Sequence, residues 1–260
     1  MSRVLVFGAG PAGLMATHAA ALGDHDVIVM SHKGRKSKMM GAQYLHAPIP
    51  MANKSKEFLV SYRMEGGTPQ EYRRKVYGDA WDGTVSPEDL EENHKGWDIR
   101  EAYDWLWETY HEYVTDFTAD HWTKVREAVE WANADLVIST IPAPLLCHEE
   151  HSFGSTTIFS GDRAMGHMDD NTVICNAGEA PTWYRAARIC GWDTVEWPGL
   201  GPKPPITPVW EVTKPTKTNC TCFPEIVRMG RYGSWTKGTL SHEAFYNTSK
   251  ELENLQERLF

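Results

Sequence analysis

Residues 3–7, Arg-Val-Leu-Val-Phe, are a short β-branched and apolar run that passes directly into Gly8-Ala9-Gly10-Pro11-Ala12-Gly13. Residues 14–22 are rich in helix formers and close on Gly23. Asp26-Val27-Ile28-Val29-Met30 then reads as a second buried strand. A G-x-G-x-x-G turn between a strand and a helix, with a second strand following, constrains a chain strongly. It predicts an α/β fold with a Rossmann-like dinucleotide-binding domain on a parallel sheet. The spacing has a mechanical reason. Gly8 allows the tight turn, Gly10 lets the backbone approach a pyrophosphate, and Gly13 lets the helix pack closely on the strand. The helix N-terminus then presents free N–H groups and partial positive charge to the phosphates. Gly8, Ala9, Gly10, Pro11, Ala12 and Gly13 are therefore candidate cofactor-binding residues.

Such domains usually carry Asp or Glu at the end of the second strand, to hold a ribose. Here Ser31 stands there, followed by His32-Lys33-Gly34-Arg35-Lys36-Ser37-Lys38. Three readings remain open. The basic cluster, Lys33, Arg35 and Lys36 above all, could hold the 2′-phosphate of NADP. Ser31 could make a weaker ribose contact, with His32 and Lys33 on a pyrophosphate or an anionic substrate. The cluster could also be a solvated loop.

Residues 39–52 mix apolar, aromatic and histidine side chains between glycine and proline, unlike a surface loop. The segment is expected to run through a site. His46 is the candidate catalytic group on it, and Gln43 and Tyr44 are candidates for the cofactor side. A single histidine also serves often as a structural group.

Thr68-Pro69-Gln70-Glu71 has the grammar of a capped helix start, and Ser86-Pro87-Glu88-Asp89 repeats it. A strongly aromatic helix is expected over 99–115. Its Tyr103, Trp105, Trp107, Tyr110 and Tyr113 suit a core, a dimer face or a stacking wall for a planar ligand. Residues 134–144 read as a buried strand ending in a small-residue turn, with Thr140 and Pro142 near the cofactor. A further strand, 172–177, leads to Trp183, Tyr184 and Arg185. If it ends beside the site, Tyr184 is a candidate catalytic residue, and Arg185 could clamp a carboxylate or phosphate. Arg185 equally suits a surface salt bridge. Residues 198–208, rich in proline, are a linker or an extended crossing. A late strand and turn, 226–235, precede a closing helix over 241–259.

The 260 residues carry a net charge of −9, which argues against broad non-specific binding to nucleic acid while leaving a local basic patch open. No apolar run approaches the roughly 18 residues of a membrane helix, and the chain enters a strand at once, so neither a membrane anchor nor a secretory leader is expected. Of the five cysteines, Cys147, Cys175 and Cys190 sit in apolar surroundings and read as reduced thiols, pointing to the cytoplasm. Cys220 and Cys222 form a C-x-C pair with no second pair at ligand spacing, so no metal site is expected.

Three separated segments resemble FAD-binding oxidoreductases of the glutathione-reductase-like class, on the flavin amine oxidase and UDP-galactopyranose mutase side. They are Gly8 to Gly13, the strand from Asp135 to Pro142, and Gly230-Arg231-Tyr232-Gly233-Ser234-Trp235 with the helix after it. The last is similar to the family's Gly-Arg-x-Gly-x-Trp segment, which passes the flavin. The resemblance implies FAD as cofactor, with Gly230, Arg231 and Trp235 on the flavin side. It implies a discontinuous dinucleotide-binding domain over 1–55, 121–180 and 224–260, and a substrate-covering region over 56–120 and 181–223. The implied activity is oxidation of an amine or amino-acid-like C–N bond in a small-molecule or nucleotide-linked substrate. A flavin-dependent lyase on an amino-acid-modified nucleotide or DNA base, a mutase-like isomerase and an NADP-binding module are the alternatives. A homodimer is compatible with the aromatic helix.

Overall fold

The first strand shows how the fold is layered. Val4 and Val6 point to one side of it, Leu5 and Phe7 to the other, and all four are fully buried. A strand buried on both faces lies inside a sheet covered by helices on both sides, as parallel sheets are. The computed structural model describes residues 1–32, 34, 39, 43–79, 83, 88–162, 166, 168–205 and 208–259.

In chain order the elements are β1 (Arg3–Phe7), α1 (Pro11–Leu22), β2 (Asp26–Ser31), β3 (Phe58–Glu65), α2 (Pro69–Tyr77), α3 (Glu88–Glu91), β4 (Asn93–Gly96), α4 (Ile99–Tyr110), β5 (Val114–Asp116), α5 (Trp122–Ala132) and β6 (Leu136–Ser139). There follow β7 (Phe153–Gly161), β8 (Thr172–Asn176), β9 (Arg185–Ile189), β10 (Trp192–Pro198), β11 (Val209–Thr218), β12 (Ile226–Arg228), α6 (Gly230–Ser234) and α7 (Glu243–Leu259).

The first sheet has the order β12-β6-β1-β2-β5 and is parallel throughout. The chain leaves β1 towards β2 on one side and returns to β6 on the other. The C-terminal end of β1 is thus the point where the strand order reverses, which is where ligands bind in open α/β sheets. The α1, α4 and α7 helices pack on the Val4 and Val6 face, and α5 covers the Leu5 and Phe7 face. This is the α/β, Rossmann-like architecture expected from the first 31 residues.

The second sheet has the order β11-β7-β10-β9-β8-β3-β4. It is antiparallel except for β3 against β8. Helix α2 covers part of one face through Tyr72 and Val76. Its start is the expected capping box, with the Thr68 hydroxyl accepting from Glu71 N and Glu71 accepting from Thr68 N.

Several boundaries differ from the sequence reading. Residues 153–161 and 172–176, expected within the 121–180 part of the dinucleotide-binding domain, belong to the second sheet. Helix α4 and β5, expected in the 56–120 covering region, belong to the first: α4 packs on α1 and β5 pairs with β2. An apolar run signals that a strand is buried but not which strand it pairs with. The aromatic helix also stops at Tyr110, before β-branched Val114 and Thr115 enter β5. Its buried Tyr103, Leu106 and Tyr110 face the core. The Tyr110 hydroxyl donates to His18 Nδ1 at 2.7 Å, because His18 Nε2 must donate to the Pro50 carbonyl at 2.8 Å. Tyr103 and Tyr110 are therefore core, Trp105 and Trp107 are half-buried against it, and Tyr113 is exposed. No helix among the described residues is long and apolar enough to cross a membrane.

Candidate functional site

Three segments converge at the C-terminal ends of the central strands. The first is the glycine turn. Gly8 has φ +101°, a conformation that L side chains rarely adopt. Its N–H donates to the Met30 carbonyl at 2.8 Å, so the turn is tied to β2. A Cβ on Gly13 would overlap the Gly8 carbonyl oxygen, so close packing of α1 on the turn requires glycine there. Gly10 is different. Its φ of −74° suits any residue, and a Cβ there would meet no atom of the described residues within 4 Å. Gly10 is the N-cap of α1, no side chain caps that end, and no acid lies in the first turn. Pro11 follows at the first helical position, where a missing N–H costs nothing. The end of α1 thus offers backbone donors and partial positive charge beside open space.

The second segment is the end of β6. Thr140 donates to the Phe7 carbonyl from both its N and its Oγ1, each at 2.9 Å, and locks β6 to β1 just before the glycine turn. Ser139 is fully buried and its hydroxyl has no hydrogen-bond partner among the described residues. Pro142 opens the 3-10 turn Ala143–Leu146.

The third is α6, entered from β12 through the bond from Met229 N to the Ser139 carbonyl, 2.9 Å. A Cβ on Gly233 would run into the Ser139 carbonyl, and one on Gly230 would lie 2.8 Å from Ala12 Cβ. These two glycines let α6 rest directly on the other two segments. Arg231 and Tyr232 of α6, and Trp235 just after it, reach the second sheet. The Arg231 guanidinium donates to the Pro215 carbonyl at 3.0 and 3.3 Å, and the Tyr232 hydroxyl donates to Thr213 O at 2.8 Å. The Trp235 indole N–H donates to the Gly154 carbonyl at 2.9 Å and its ring meets Phe153 edge-on. Gly230 therefore sits at the glycine turn, while Arg231 and Trp235 serve as anchors between the two sheets.

Ser31 closes the second strand against the same turn, its Oγ accepting from Ala9 N at 3.0 Å. Among the described residues no acceptor takes its own hydroxyl proton. The Ala9 carbonyl takes a bond from the Tyr103 hydroxyl at 3.1 Å. His32 Nε2 lies 3.3 Å from Thr118 Oγ1. Lys33, Arg35 and Lys36 lie outside the described residues.

His46 is not alone. It stacks on Tyr44 at 4.6 Å, faces His242 at 6.0 Å and has His94 at 6.1 Å. Tyr44 donates to the Tyr62 hydroxyl at 3.4 Å, and Tyr62 meets His94 edge-on. Desolvation against these rings, and then repulsion from His242 and His94, hold the His46 imidazole down at about 4. It is neutral over the physiological range. Burial likewise lowers His242, whose Nδ1 is buried without a partner among the described residues. Burial and Tyr62 together push the Tyr44 phenol up. Gln43 leads into this cluster, half-buried. The sequence singled out His46 but missed His94 and His242, which come from β4 and from the residue before α7.

Tyr184 and Arg185 lie elsewhere. The 172–176 strand does not end in the first sheet, so these residues are not at its mouth. Tyr184 is buried under α2, its ring against Tyr72. Arg185 stands opposite Glu196 in the β9–β10 ladder and its guanidinium is ion-paired to that carboxylate. Lys214 Nζ completes the group, 2.7 Å from Glu196 and 3.0 Å from the Tyr184 hydroxyl. Burial opposes the charge on Glu196, which is only 2% exposed, but Arg185 and then Lys214 outweigh it and hold the carboxyl at about 2. Arg185 is thus engaged in an ion pair with Glu196 in the second sheet, away from the ends of the first.

No family model and no curated protein matches the sequence. Solved structures share its fold. One is 2,6-dihydroxypyridine-3-hydroxylase from Arthrobacter nicotinovorans, at 10% identity, with 98% of this chain and 84% of that chain covered and a TM-score of 0.55. A geranylgeranyl bacteriochlorophyll reductase-like protein from Thermoplasma acidophilum aligns at 12% identity over 99% and 78%, with a TM-score of 0.56. A flavin-dependent halogenase from Brevundimonas sp. BAL3 aligns at 12% identity over 98% and 72%, with a TM-score of 0.53. At these identities the likeness is one of fold. It spans both sheets, not the first alone.

Proposed function

We propose that this chain is an FAD-dependent oxidoreductase with its cofactor at the C-terminal ends of β1, β6 and β12. Gly10 carries the reading. The other two glycines of the turn are explained by the chain itself, through a positive φ and a close contact. Neither reason applies to Gly10, and a pyrophosphate approaching α1 does explain it. The fold shared with a hydroxylase, a reductase-like protein and a flavin-dependent halogenase supports FAD over NADP. So does the completeness of the cradle, in which the β6 end and α6 close on the glycine turn.

In this reading the donors at the start of α1 hold the diphosphate. Ser31 donates its hydroxyl proton to the ribose, replacing the usual carboxylate with one weaker bond. Thr140 and Gly230 shape the wall behind the turn. When bound, the flavin supplies the electron-accepting ring. The substrate class we favour is an amine or amino-acid-like C–N bond. The partly exposed ring cluster of Tyr44, His46, Tyr62 and His94 supports this, in place of the aromatic helix, whose Tyr103 and Tyr110 are core. His46, neutral at physiological pH, can accept a hydrogen bond from the free amine, the form that oxidation needs.

The test is the visible spectrum of the purified protein with one substitution. The wild type is expected to be yellow, to release FAD on heating and to be bleached by an amine without oxygen. Gly10→Val should fold, because a Cβ there meets no atom of the described residues within 4 Å, yet lose flavin about tenfold or more. A colourless wild type that does not take up FAD overturns the cofactor. A yellow protein that no amine bleaches overturns only the substrate class.

A further inference from the structure

Outside the cofactor cradle, four metal-ligating side chains gather where nothing in the proposed reaction needs them. Cys147, His151, Cys220 and Cys222 bring one ligand atom each to a group in which all four atoms lie within 4.8 Å of one another. Cys147 Sγ is 3.3 Å from His151 Nδ1 and 4.0 Å from Cys222 Sγ, and Cys222 Sγ is 3.6 Å from the same nitrogen. Ligands around tetrahedral zinc, at Zn–S about 2.3 Å and Zn–N about 2.0–2.1 Å, stand about 3.5–3.8 Å apart. The observed separations bracket those edges.

We propose that Cys147, His151, Cys220 and Cys222 form a closed, structural zinc site. The C-x-C pair does have a partner pair, Cys147-x-x-x-His151, and the sequence hides it because 68 residues separate His151 from Cys220. Cys147, read from its neighbours as a core thiol, is instead half-buried beside the other three.

The surroundings are those of a metal ligand set. His151 must use Nδ1 as its lone-pair nitrogen, and Nε2 is turned to a Glu149 oxygen at 3.5 Å, which fixes that tautomer. Three thiolates and one imidazole around a divalent ion leave a net charge of −1. Arg228 supplies the compensating cation, with its guanidinium 3.5 Å from Cys220 Sγ and donating to the Cys222 carbonyl at 2.6 Å. Three soft sulfurs and one nitrogen in a tetrahedral arrangement select zinc over hard cations, and four protein ligands leave no position for substrate.

The location gives the site its role. Cys147 and His151 lie on the crossing from β6 to β7, and Cys220 and Cys222 on the crossing from β11 to β12. These are two passages of the chain between its sheets. They already touch through Ser152 N on Asn219 Oδ1, 2.9 Å, and Thr218 Oγ1 on the Ser152 carbonyl, 2.9 Å. A zinc ion would join them by coordinate bonds and hold the 140–146 turn, part of the cofactor cradle, to the base of β12. A Cys147–Cys222 disulfide is the competing use of these atoms. At 4.0 Å the sulfurs are well outside the roughly 2.05 Å of that bond.

The test is elemental analysis of full-length protein, purified without chelator and dialysed, with cobalt substitution as a second readout. About one zinc per chain is expected, released by a mercurial thiol reagent. His151→Ala and Cys222→Ser should each lower retained zinc about tenfold or more, while Cys190→Ser, outside the cluster, leaves it unchanged. If the variants do not fold, the wild type still decides. Cobalt should give the long-wavelength bands of tetrahedral thiolate coordination, beyond any flavin absorption. A wild type that binds neither metal overturns the site, as does a Cys147–Cys222 disulfide found by mass spectrometry of unreduced peptides. Retention of zinc by both folded variants does the same.

Discussion

The two sheets place their polar groups in opposite ways. In the first, helices bury both faces and the polarity lies at the strand ends, in the backbone of the glycine turn, the start of α1 and the Ser31 hydroxyl. In the second, the strongest charges lie within the sheet, where Arg185, Glu196 and Lys214 satisfy one another. An open arrangement of backbone donors can take a ligand because nothing in the protein already fills it. A closed set of ion pairs contributes to one packing and offers nothing to a visitor. This is why Arg185, already ion-paired to Glu196, is a weaker pointer to a site than the apparently featureless Gly10.

The sharpest way to break this contrast is at the closed end. Glu196→Ala leaves two buried cations without their counter-charge. We expect a loss of about 3–5 kcal/mol in urea unfolding, with flavin bound per folded chain unchanged. An unchanged stability would mean that the ion-pair group is not closed. At the open end, Gly13→Ala forces a methyl group into the Gly8 carbonyl. It should lower stability by about 1–3 kcal/mol, whereas Gly10→Ala should stay within about 0.5 kcal/mol of wild type in the same melts. Equal effects of the two would remove the argument from Gly10.

The smallest effect concerns acid. His18 and His242 are held below their ordinary value by burial, and the exposed His46 by desolvation against its neighbouring rings and by His242 and His94, at about 4. Below about 6.5 the unfolded chain binds protons that the folded one refuses, so stability falls as pH drops from 6.5 towards 4. Glu196 acts lower down, its contribution being lost only as pH falls from about 4.3 towards 2. Denaturation midpoints at a series of pH values should show two separate declines, and His46→Gln should flatten the first. A single decline confined below pH 4 would show that the histidine cluster is solvated in solution.

Much of the first sheet was legible because its signals are local. The β1 run, the glycine turn, the helix formers of α1 and the β2 run lie in one stretch. The Thr68 capping box was equally legible, as four consecutive residues that bond among themselves. The second sheet also had a local signal, which went unread. Cys190 and Gly191, both with positive φ, make a two-residue hairpin turn. Counting outwards from it pairs Arg188 with Asp193 and Arg185 with Glu196, opposite charges across a ladder. That pattern marks Arg185 as structural before any coordinates are known. The histidine cluster had no such signal, since residues 46, 94 and 242 share no element.

By itself, the sequence determined the central βαβ unit and the helix capped by Thr68, because turns, caps and apolar periodicity act between neighbours in the chain. Ser86 and Pro87 of the second expected cap lie outside the described residues. Only the tertiary structure decided which sheet each later strand joins, that Tyr103 and Tyr110 of the aromatic helix are core, and that four cysteine and histidine side chains meet at the crossings between the sheets. Those outcomes depend on contacts between residues tens of positions apart, and a strand's apolar pattern says that it will be buried without saying against what.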